Sequence, residues 1–175
     1  MAQIEKYLKS CIRDVPDFPK KGIIFKDITT LLKNPRALKK AMNAILKLYK
    51  GKKIDYVVAI ESRGFIFGSV LAYKLGAGFV PVRKKGKLPY KTTSVSYDLE
   101  YGTDTLEIHS DALSANDQVL IVDDLLATGG TMQAVVKMVK GLGAQVVGVA
   151  FLIELAFLNG REKLKDVPVD TIIRY

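Results

Sequence analysis

The chain has 175 residues, a formal net charge of +9, an apolar content of 49% and a single cysteine. This length and composition favour one domain with its own core and exclude a disordered chain. Cys11 has no partner for an internal disulfide, no apolar run reaches the ~20 residues of a membrane span, and the charged N-terminal segment lacks the apolar part of a signal peptide. We therefore expect a cytoplasmic protein. Its charge leaves nucleic acid, an anionic membrane and a small polyanionic substrate open as partners.

Apolar spacing and turn residues predict the elements of the first half of the chain. Residues 2–12 have the pattern of a short amphipathic helix, and proline and glycine predict a loop with extended pieces over residues 16–31. Asn34 and Pro35 are a favoured N-cap and first residue of a helix, which we expect to end at Gly51. The next predicted elements are a buried strand over 56–60, a helix over 65–75 and a strand over 79–82.

The second half alternates between the same two kinds of element, with one exception. Residues 92–108 alternate apolar and polar side chains, which predicts an antiparallel, half-exposed hairpin. The other predicted elements are strands over 119–122, 146–151 and 169–173 and a helix near 130–142. Strands that alternate with helices indicate a single α/β domain, with a mainly parallel sheet flanked by helices and a projecting hairpin.

The segment after the predicted strand at 119–122 has the composition of a phosphate-binding loop. Two carboxylates, Asp123 and Asp124, precede a run of small and hydroxyl-bearing residues that opens a helix. That run is Ala127, Thr128, Gly129, Gly130 and Thr131. Small side chains let backbone N–H groups approach a phosphate, and the helix N-terminus adds partial positive charge. The carboxylates would repel a phosphate, so sugar hydroxyls or Mg²⁺ are their natural partners. An ordinary glycine-rich turn is the alternative, but the complete arrangement favours a phosphate site.

Two further segments are rich in groups that bind anions. Glu61-Ser62-Arg63-Gly64-Phe65 follows a buried strand, which places the Arg63 guanidinium at the same sheet edge as the phosphate loop. Five cations without an acidic residue follow between residues 83 and 91, and they equal more than half of the net charge. They are Arg83, Lys84, Lys85, Lys87 and Lys91. A solvated loop and a nucleic-acid site are alternatives, but a compact cluster beside two anion sites favours a small polyanion.

In this order, the segments resemble the type I phosphoribosyltransferases, and within them the adenine phosphoribosyltransferases. The resemblance also rests on Pro16-Asp17-Phe18-Pro19, on residues 22–28, on Arg83-Lys84-Lys85-Gly86-Lys87-Leu88-Pro89 and on Leu99-Glu100-Tyr101-Gly102. It covers essentially the whole chain. It implies a pentosyltransferase of purine salvage that converts adenine and 5-phosphoribosyl 1-diphosphate (PRPP) to AMP and pyrophosphate. It further implies a cytoplasmic homodimer, with no nucleic acid or membrane partner, and a Mg²⁺ cofactor held mainly through PRPP and water rather than by protein ligands.

The resemblance also implies roles for individual residues. The catalytic residues would be Glu100, Asp123 and Asp124. The phosphates and ribose of PRPP would contact Arg63, Arg83, Lys87, Asp123, Asp124, Ala127, Thr128, Gly129, Gly130 and Thr131. Adenine would contact Ile24, Phe25, Lys26 and Leu155, although Lys26 stands where many family members have arginine. The loop at 61–65 would contain a non-proline cis peptide.

The same resemblance divides the chain into functional parts and leaves rivals to be tested. A single phosphoribosyltransferase domain would span residues 1–175, with a hood from about 1–33 and 153–164 and a flexible loop at about 91–109 that closes over the substrate. The alternatives are a hypoxanthine- or guanine-type enzyme and a PRPP-sensing regulator on the same fold. An RNA-binding protein is a further alternative that suits the basic charge, but the sequence lacks an aromatic stacking set.

Overall fold

The computed structural model describes residues 2–98 and 103–175, which form a seven-stranded sheet flanked by helices and a separate two-stranded hairpin. The helices are α1 (Ala2–Lys9), α2 (Thr29–Lys33), α3 (Pro35–Tyr49), α4 (Arg63–Leu75) and α5 (Gly130–Gly141), with 3₁₀ turns at Ala156–Leu158 and Gly160–Leu164. The strands are β1 (Arg13–Pro16), β2 (Ile24–Asp27), β3 (Tyr56–Ile60), β4 (Gly78–Lys84), β5 (Thr92–Asp98), β6 (Thr103–His109), β7 (Gln118–Leu126), β8 (Gln145–Glu154) and β9 (Val169–Arg174). Within these residues, no helix has the length and apolar character needed to cross a membrane.

The strand order of the main sheet explains where a site can form. The order is β5-β6-β4-β3-β7-β8-β9, and β3, β4, β7, β8 and β9 run parallel. β5 and β6 form the predicted antiparallel hairpin, and β6 joins it to the edge of β4. β3 and β7 are neighbours in register, with Ala59 opposite Val122, so the loops that follow them meet at one edge. The predicted α/β fold with a mainly parallel sheet is confirmed.

Buried side chains lie on both faces of this sheet, as expected when helices cover both sides. Val57 belongs to the core cluster under α3 and α4, whereas its neighbour Val58 belongs to the cluster under α5. Ile121 and Val122 on β7 divide between the two clusters in the same way. The sheet edge is therefore held rigidly from above and below, which suits a site that must fix charged groups.

The helix signals in the sequence correspond to observed caps. The Asn34 side-chain oxygen accepts hydrogen bonds from the backbone N–H groups of Arg36 and Ala37 at 3.0 and 3.1 Å. Gly76 ends α4 in the left-handed conformation, with φ of 69°. These helix predictions are confirmed to within a few residues.

Several predicted bounds differ from the observed ones, and α1 ends at Lys9 rather than at residue 12. The segment at 16–31 contains part of an antiparallel hairpin, with Pro16 opposite Ile24, and the start of the short helix α2. β7 and β8 are longer than predicted, because their pairing continues to Leu126 and Glu154. Apolar runs set the predicted ends, whereas backbone hydrogen bonding continues through the acidic residues of β7. The predicted limits of the hood and of the flexible loop stay predictions.

Candidate active site

A cleft of about 420 Å³ lies at the edge of the sheet where β3 and β7 end. Its lining comes from the loop after β3, the acidic end of β7, the phosphate loop and the hairpin. The lining residues are Ile60, Glu61, Ser62, Arg63, Lys84, Tyr97, Asp104, Leu106, Asp123, Asp124, Leu125, Ala127 and Thr131. Loops that are far apart in the sequence thus meet where parallel α/β sheets commonly bind ligands.

The acidic pair is the most strongly perturbed group in this cleft. Asp124 is 4% exposed, and its Oδ2 atom lies 3.0 Å from Nε of Arg63. Burial and the negative charge of Asp124 raise the pKa of Asp123 well above its ordinary value. Burial also raises the pKa of Asp124, although the charge of Arg63 opposes that shift. Two carboxylates held together at a cleft are costly for the fold, which points to a functional reason for keeping them.

The phosphate loop that follows has no cationic side chain and relies on its backbone. Gly129 has φ of 79°, a conformation that favours glycine, and α5 begins at the next residue. A small pocket of about 80 Å³ is lined by Asp123, Leu125, Leu126, Ala127, Thr128, Gly129, Gly130, Thr131, Met132 and Phe151. All five predicted phosphate-loop residues therefore line one pocket at a helix N-terminus, where an anion is favoured.

The loop after β3 lies close against the acidic end of β7. A Cβ atom on Gly64 would be 3.0 Å from both Oδ1 of Asp123 and the carbonyl oxygen of Val122. Glycine is therefore the residue that lets this loop approach the carboxylates. The peptide between Glu61 and Ser62 is cis, as the resemblance implied.

Glu61 brings together two cations that the sequence had placed only in a basic run. Its Oε2 accepts a hydrogen bond from Nε of Arg83 at 2.7 Å, and its Oε1 accepts one from Nζ of Lys87 at 2.6 Å. Burial alone would raise the pKa of Glu61, but hydrogen bonds from Lys87 and Arg83 hold it below its ordinary value. Glu61 was not predicted as a site residue. Its position directly after a buried strand, beside Arg63, was the available signal.

The hairpin contributes one wall of the cleft. Tyr97 of β5 lines it, and Lys84 forms an ion pair of 2.9 Å with Asp104 of β6. The pKa of Lys84 is raised by this partner. Glu100, the predicted catalytic glutamate, lies outside the described residues.

The predicted adenine residues lie on two segments joined through Tyr175. Nζ of Lys26 lies 4.0 Å from the centre of the Tyr175 ring and donates to Asp14 at 2.8 Å. Tyr175 bonds through its backbone to Glu154 and Ala156, the two neighbours of Leu155. The Lys26 side chain is thus engaged with Asp14 and Tyr175, which is consistent with base recognition by main-chain groups.

Phe25 connects this region to the acidic cleft. The guanidinium carbon of Arg63 lies 5.2 Å from the centre of the Phe25 ring, while Phe18 packs edge-on against the same ring at 5.2 Å. Ile24 is 56% exposed, so an apolar surface is available beside the charged groups. A flat apolar base next to a sugar phosphate would fit this combination.

Comparison with known proteins tests the family prediction. The phosphoribosyl transferase domain model matches residues 27–173. The adenine phosphoribosyltransferase of Acidobacterium capsulatum is 58% identical over 168 residues, which is 96% of this chain and 93% of that protein. This chain belongs to the adenine phosphoribosyltransferase family. The membership predicted from ordered motifs is therefore confirmed.

Solved structures of adenine phosphoribosyltransferases have the same fold. The enzyme from Rhodothermus marinus is 55% identical, covers all of both chains and superposes with a TM-score of 0.95. The enzyme from Saccharomyces cerevisiae, solved with an imino-altritol bisphosphate and adenine, is 43% identical with a TM-score of 0.92, over 98% of this chain and 99% of that one. The family's fold therefore extends over essentially the whole of this chain.

Proposed function

We propose that this protein transfers the 5-phosphoribosyl group of PRPP to adenine, forming AMP and pyrophosphate in purine salvage. The observation that carries the proposal is that a backbone phosphate loop, a buried carboxylate pair and the cations Arg63 and Lys84 line one cleft and the small pocket that shares Asp123 with it. Family membership and the yeast relative solved with adenine support the choice of base.

The phosphate loop and the carboxylates bind different parts of the ribose phosphate of PRPP. Backbone N–H groups from Ala127 to Thr131 hold the 5′-phosphate at the start of α5. Asp123 and Asp124 accept hydrogen bonds from the ribose hydroxyls, and their charge stabilises the positive charge that develops on the ribose as pyrophosphate leaves. The Oδ2 atom of Asp124 is buried and contacts Arg63 as an ion pair at 3.0 Å, but it accepts no well-aligned hydrogen bond within the described residues, so it can still accept one from a ligand.

The carboxylates also fit the Mg²⁺ ion that the family implies. Within residues 2–98 and 103–175, no group of three or more histidine, cysteine or acidic residues forms a metal site. A divalent ion carried by PRPP would take its other ligands mainly from water, since Mg²⁺ prefers oxygen, and the negative charge of Asp123 and Asp124 would favour it nearby without direct ligation. When bound, the ion neutralises charge on the diphosphate.

Arg63, Arg83 and Lys87 neutralise the departing pyrophosphate. All three contact carboxylates in the described structure, with Arg63 at Asp124 and the other two at Glu61. Substrate binding must therefore draw these cations away from, or share them with, their carboxylate partners. The protein contributes mainly positioning and electrostatics, because the chemistry needs no protein nucleophile.

Adenine packs between the segment of Ile24, Phe25 and Lys26 on one side and Leu155 on the other. Main-chain groups of residues 24–26 read the edge of the base. Glu100, on the loop at about 91–109, manages the proton on adenine N7 and closes with that loop over the substrate. Closure excludes water and so favours transfer over hydrolysis of PRPP.

The assembly is a cytoplasmic homodimer. Ile66, Val70 and Tyr73 lie one turn apart on α4 and are 39%, 37% and 82% exposed, which supplies an apolar face for a second copy. Sedimentation of wild type and of Val70→Glu tests this part. A dimer that the substitution dissociates supports it, and a wild-type monomer contradicts it.

The decisive experiment measures pyrophosphate release with adenine, hypoxanthine or guanine at a fixed PRPP concentration. We expect turnover with adenine alone. Turnover with hypoxanthine or guanine instead would favour the rival purine enzyme, and PRPP binding without turnover would favour a regulator. A salt-dependent RNA shift assay on the same preparation tests the remaining alternative.

A further inference from the structure

A charged cluster outside the predicted site lies directly behind it, at the end of β8. Glu154 is 3% exposed, and both of its side-chain oxygens accept hydrogen bonds of 2.8 Å from the guanidinium of Arg161. Thr171 donates a further bond of 2.9 Å to Glu154. Arg161 also donates to the carbonyl oxygen of Val169 at 2.9 Å. Burial alone would raise the pKa of Glu154, but Arg161 and Thr171 hold it below its ordinary value, so the pair stays charged.

One side of this ion pair is attached to the phosphate loop. Arg161 directly follows Gly160, a buried residue whose backbone packs into the loop. A Cβ atom on Gly129 would collide with the carbonyl oxygen of Gly160, and one on Gly160 would collide with the carbonyl oxygen of Ala127. The Gly160 backbone therefore serves as a back wall for the loop. The guanidinium of Arg161 therefore bonds to Glu154 from a position next to this contact.

The other side of the ion pair is attached to the residue that flanks adenine. Glu154 precedes Leu155, and the N–H of Leu155 donates to the carbonyl oxygen of Leu126 at 2.9 Å, one residue before the phosphate loop. Tyr175 donates to the carbonyl oxygen of Glu154 at 2.9 Å and accepts from the N–H of Ala156 at 2.8 Å. The peptide groups around Leu155 are thus held on both sides.

We propose that Glu154 and Arg161 are positioning residues that hold the phosphate loop and the adenine-flanking residue at a fixed separation. The proposal deepens the function proposed above and rests on it. A rigid two-point hydrogen bond suits this task because Leu155 and Gly160 lie at opposite ends of one short turn. A ligand that contacts both the phosphate loop and the adenine-flanking residue binds well only when their separation matches its length, so such a spacer matters without touching substrate.

The test compares Arg161→Ala and Arg161→Lys with a control, Arg174→Ala. Arg174 is a second cation near Glu154, at 3.7 Å, but it is exposed and has no connection to Gly160. We measure KM for PRPP and adenine, kcat per folded molecule and the Kd for AMP by calorimetry, at a temperature where circular dichroism shows each variant folded. For Arg161→Ala we expect KM for PRPP and Kd for AMP to rise about tenfold, with kcat within about threefold.

The two other variants make the result specific. Arg161→Lys keeps the positive charge but loses the two-point hydrogen bond to Glu154, so its KM and Kd should lie between those of wild type and Arg161→Ala. It serves in place of Arg161→Ala if that variant does not fold. Arg174→Ala should bind as wild type. Unchanged KM and Kd in Arg161→Lys and Arg161→Ala would overturn the proposal, as would an equal rise in Arg174→Ala. Wild type assayed alongside distinguishes failure of this positioning proposal from failure of the proposed function, because only the second would leave wild type inactive.

Discussion

The loops that follow β3 and β7 lie at the same sheet edge, but under the proposed function they bind anions by different means. At the loop after β3 the binding would depend on side-chain charge, because Glu61 of this loop holds Arg83 of β4 and Lys87 just beyond it. The loop after β7 has no cation and works through backbone N–H groups, small residues and the start of α5. The first should therefore respond to charge and salt, and the second to steric change.

The carboxylates between the two loops should give the largest effect. Asp123→Asn with Asp124→Asn removes the charge that, under the proposed function, faces the ribose, and we expect kcat to fall by about 10²–10³-fold. Thermal stability should hold or rise, because two buried like charges are relieved. Steady-state kinetics and melting curves measure the two effects. Turnover close to wild type would contradict the assignment of these residues.

A bulkier residue in the phosphate loop after β7 should give the second-largest effect. Gly129→Ala places a Cβ atom against the Gly160 carbonyl at a positive φ, so we expect KM for PRPP to rise more than tenfold and stability to fall by about 2–4 kcal/mol. Gly51→Ala is the matched control, since Gly51 has φ of 84° with open space around it. It should lose only about 1–2 kcal/mol and no affinity. Urea unfolding and kinetics compare the pair, and equal KM values in both would show that the loop tolerates bulk.

Charge removal in the basic run at 83–91, which contacts the loop after β3 through Glu61, should have a smaller, salt-dependent effect. Lys87→Ala leaves Glu61 with Arg83 alone, and we expect KM for PRPP to rise about tenfold at low salt and less at high salt. Lys85→Ala removes an exposed lysine from the same run and should change KM by less than twofold. KM measured across an ionic-strength series distinguishes them. A rise in KM for PRPP that does not depend on salt concentration would argue against a charge-based role for Lys87.

A change of pH should act on activity through the aspartate pair that lies between the two loops. The raised pKa values of the aspartate pair mean that kcat/KM should fall with decreasing pH at a midpoint above the ordinary aspartate value. Arg63→Met should move that midpoint higher, because Arg63 lowers the pKa of Asp124. For stability the sign is opposite, since carboxyls with raised folded-state pKa values favour the folded state more as pH falls through them. A pH–rate profile with its midpoint at the ordinary aspartate value would contradict the coupling.

The smallest effect should come from a residue remote from both loops. Asn34→Ala removes the N-cap of α3 and should cost about 1 kcal/mol of stability with KM unchanged. Chemical denaturation and kinetics on the same sample check both values. A change in KM would show that α3 influences the site through the sheet.

The position of the excess positive charge could not be judged by counting basic residues along the sequence. The basic run at 83–91 predicted a concentrated cationic loop, yet Arg83, Lys84 and Lys87 each have a carboxylate partner. The segment between Asp27 and Asp55 contains no acidic residue. Its cations are Lys33, Arg36, Lys39, Lys40, Lys47, Lys50, Lys52 and Lys53. The excess positive charge therefore extends over α3 as well as the cleft, because pairing depends on which strands are neighbours.

Local sequence alone determined the elements with strong signals. Continuous apolar residues identified β3, the Asn34–Pro35 pair identified the start of α3, and the acidic and glycine-rich run identified the turn that leads from β7 into α5. These features depend on neighbours within a few residues, so spacing and composition are enough to predict them. Ordered motifs were enough to predict the family as well.

Tertiary structure alone decided which of these segments act together. It placed Glu61 beneath Arg83 and Lys87, extended β7 through Asp123 and Asp124, and joined Glu154 to Arg161 behind the phosphate loop. Such contacts link residues that are not neighbours along the chain, and strand order and burial create them. The sequence supplies the chemical groups of the candidate site, and the packing of the sheet determines their partners, their distances and their pKa values.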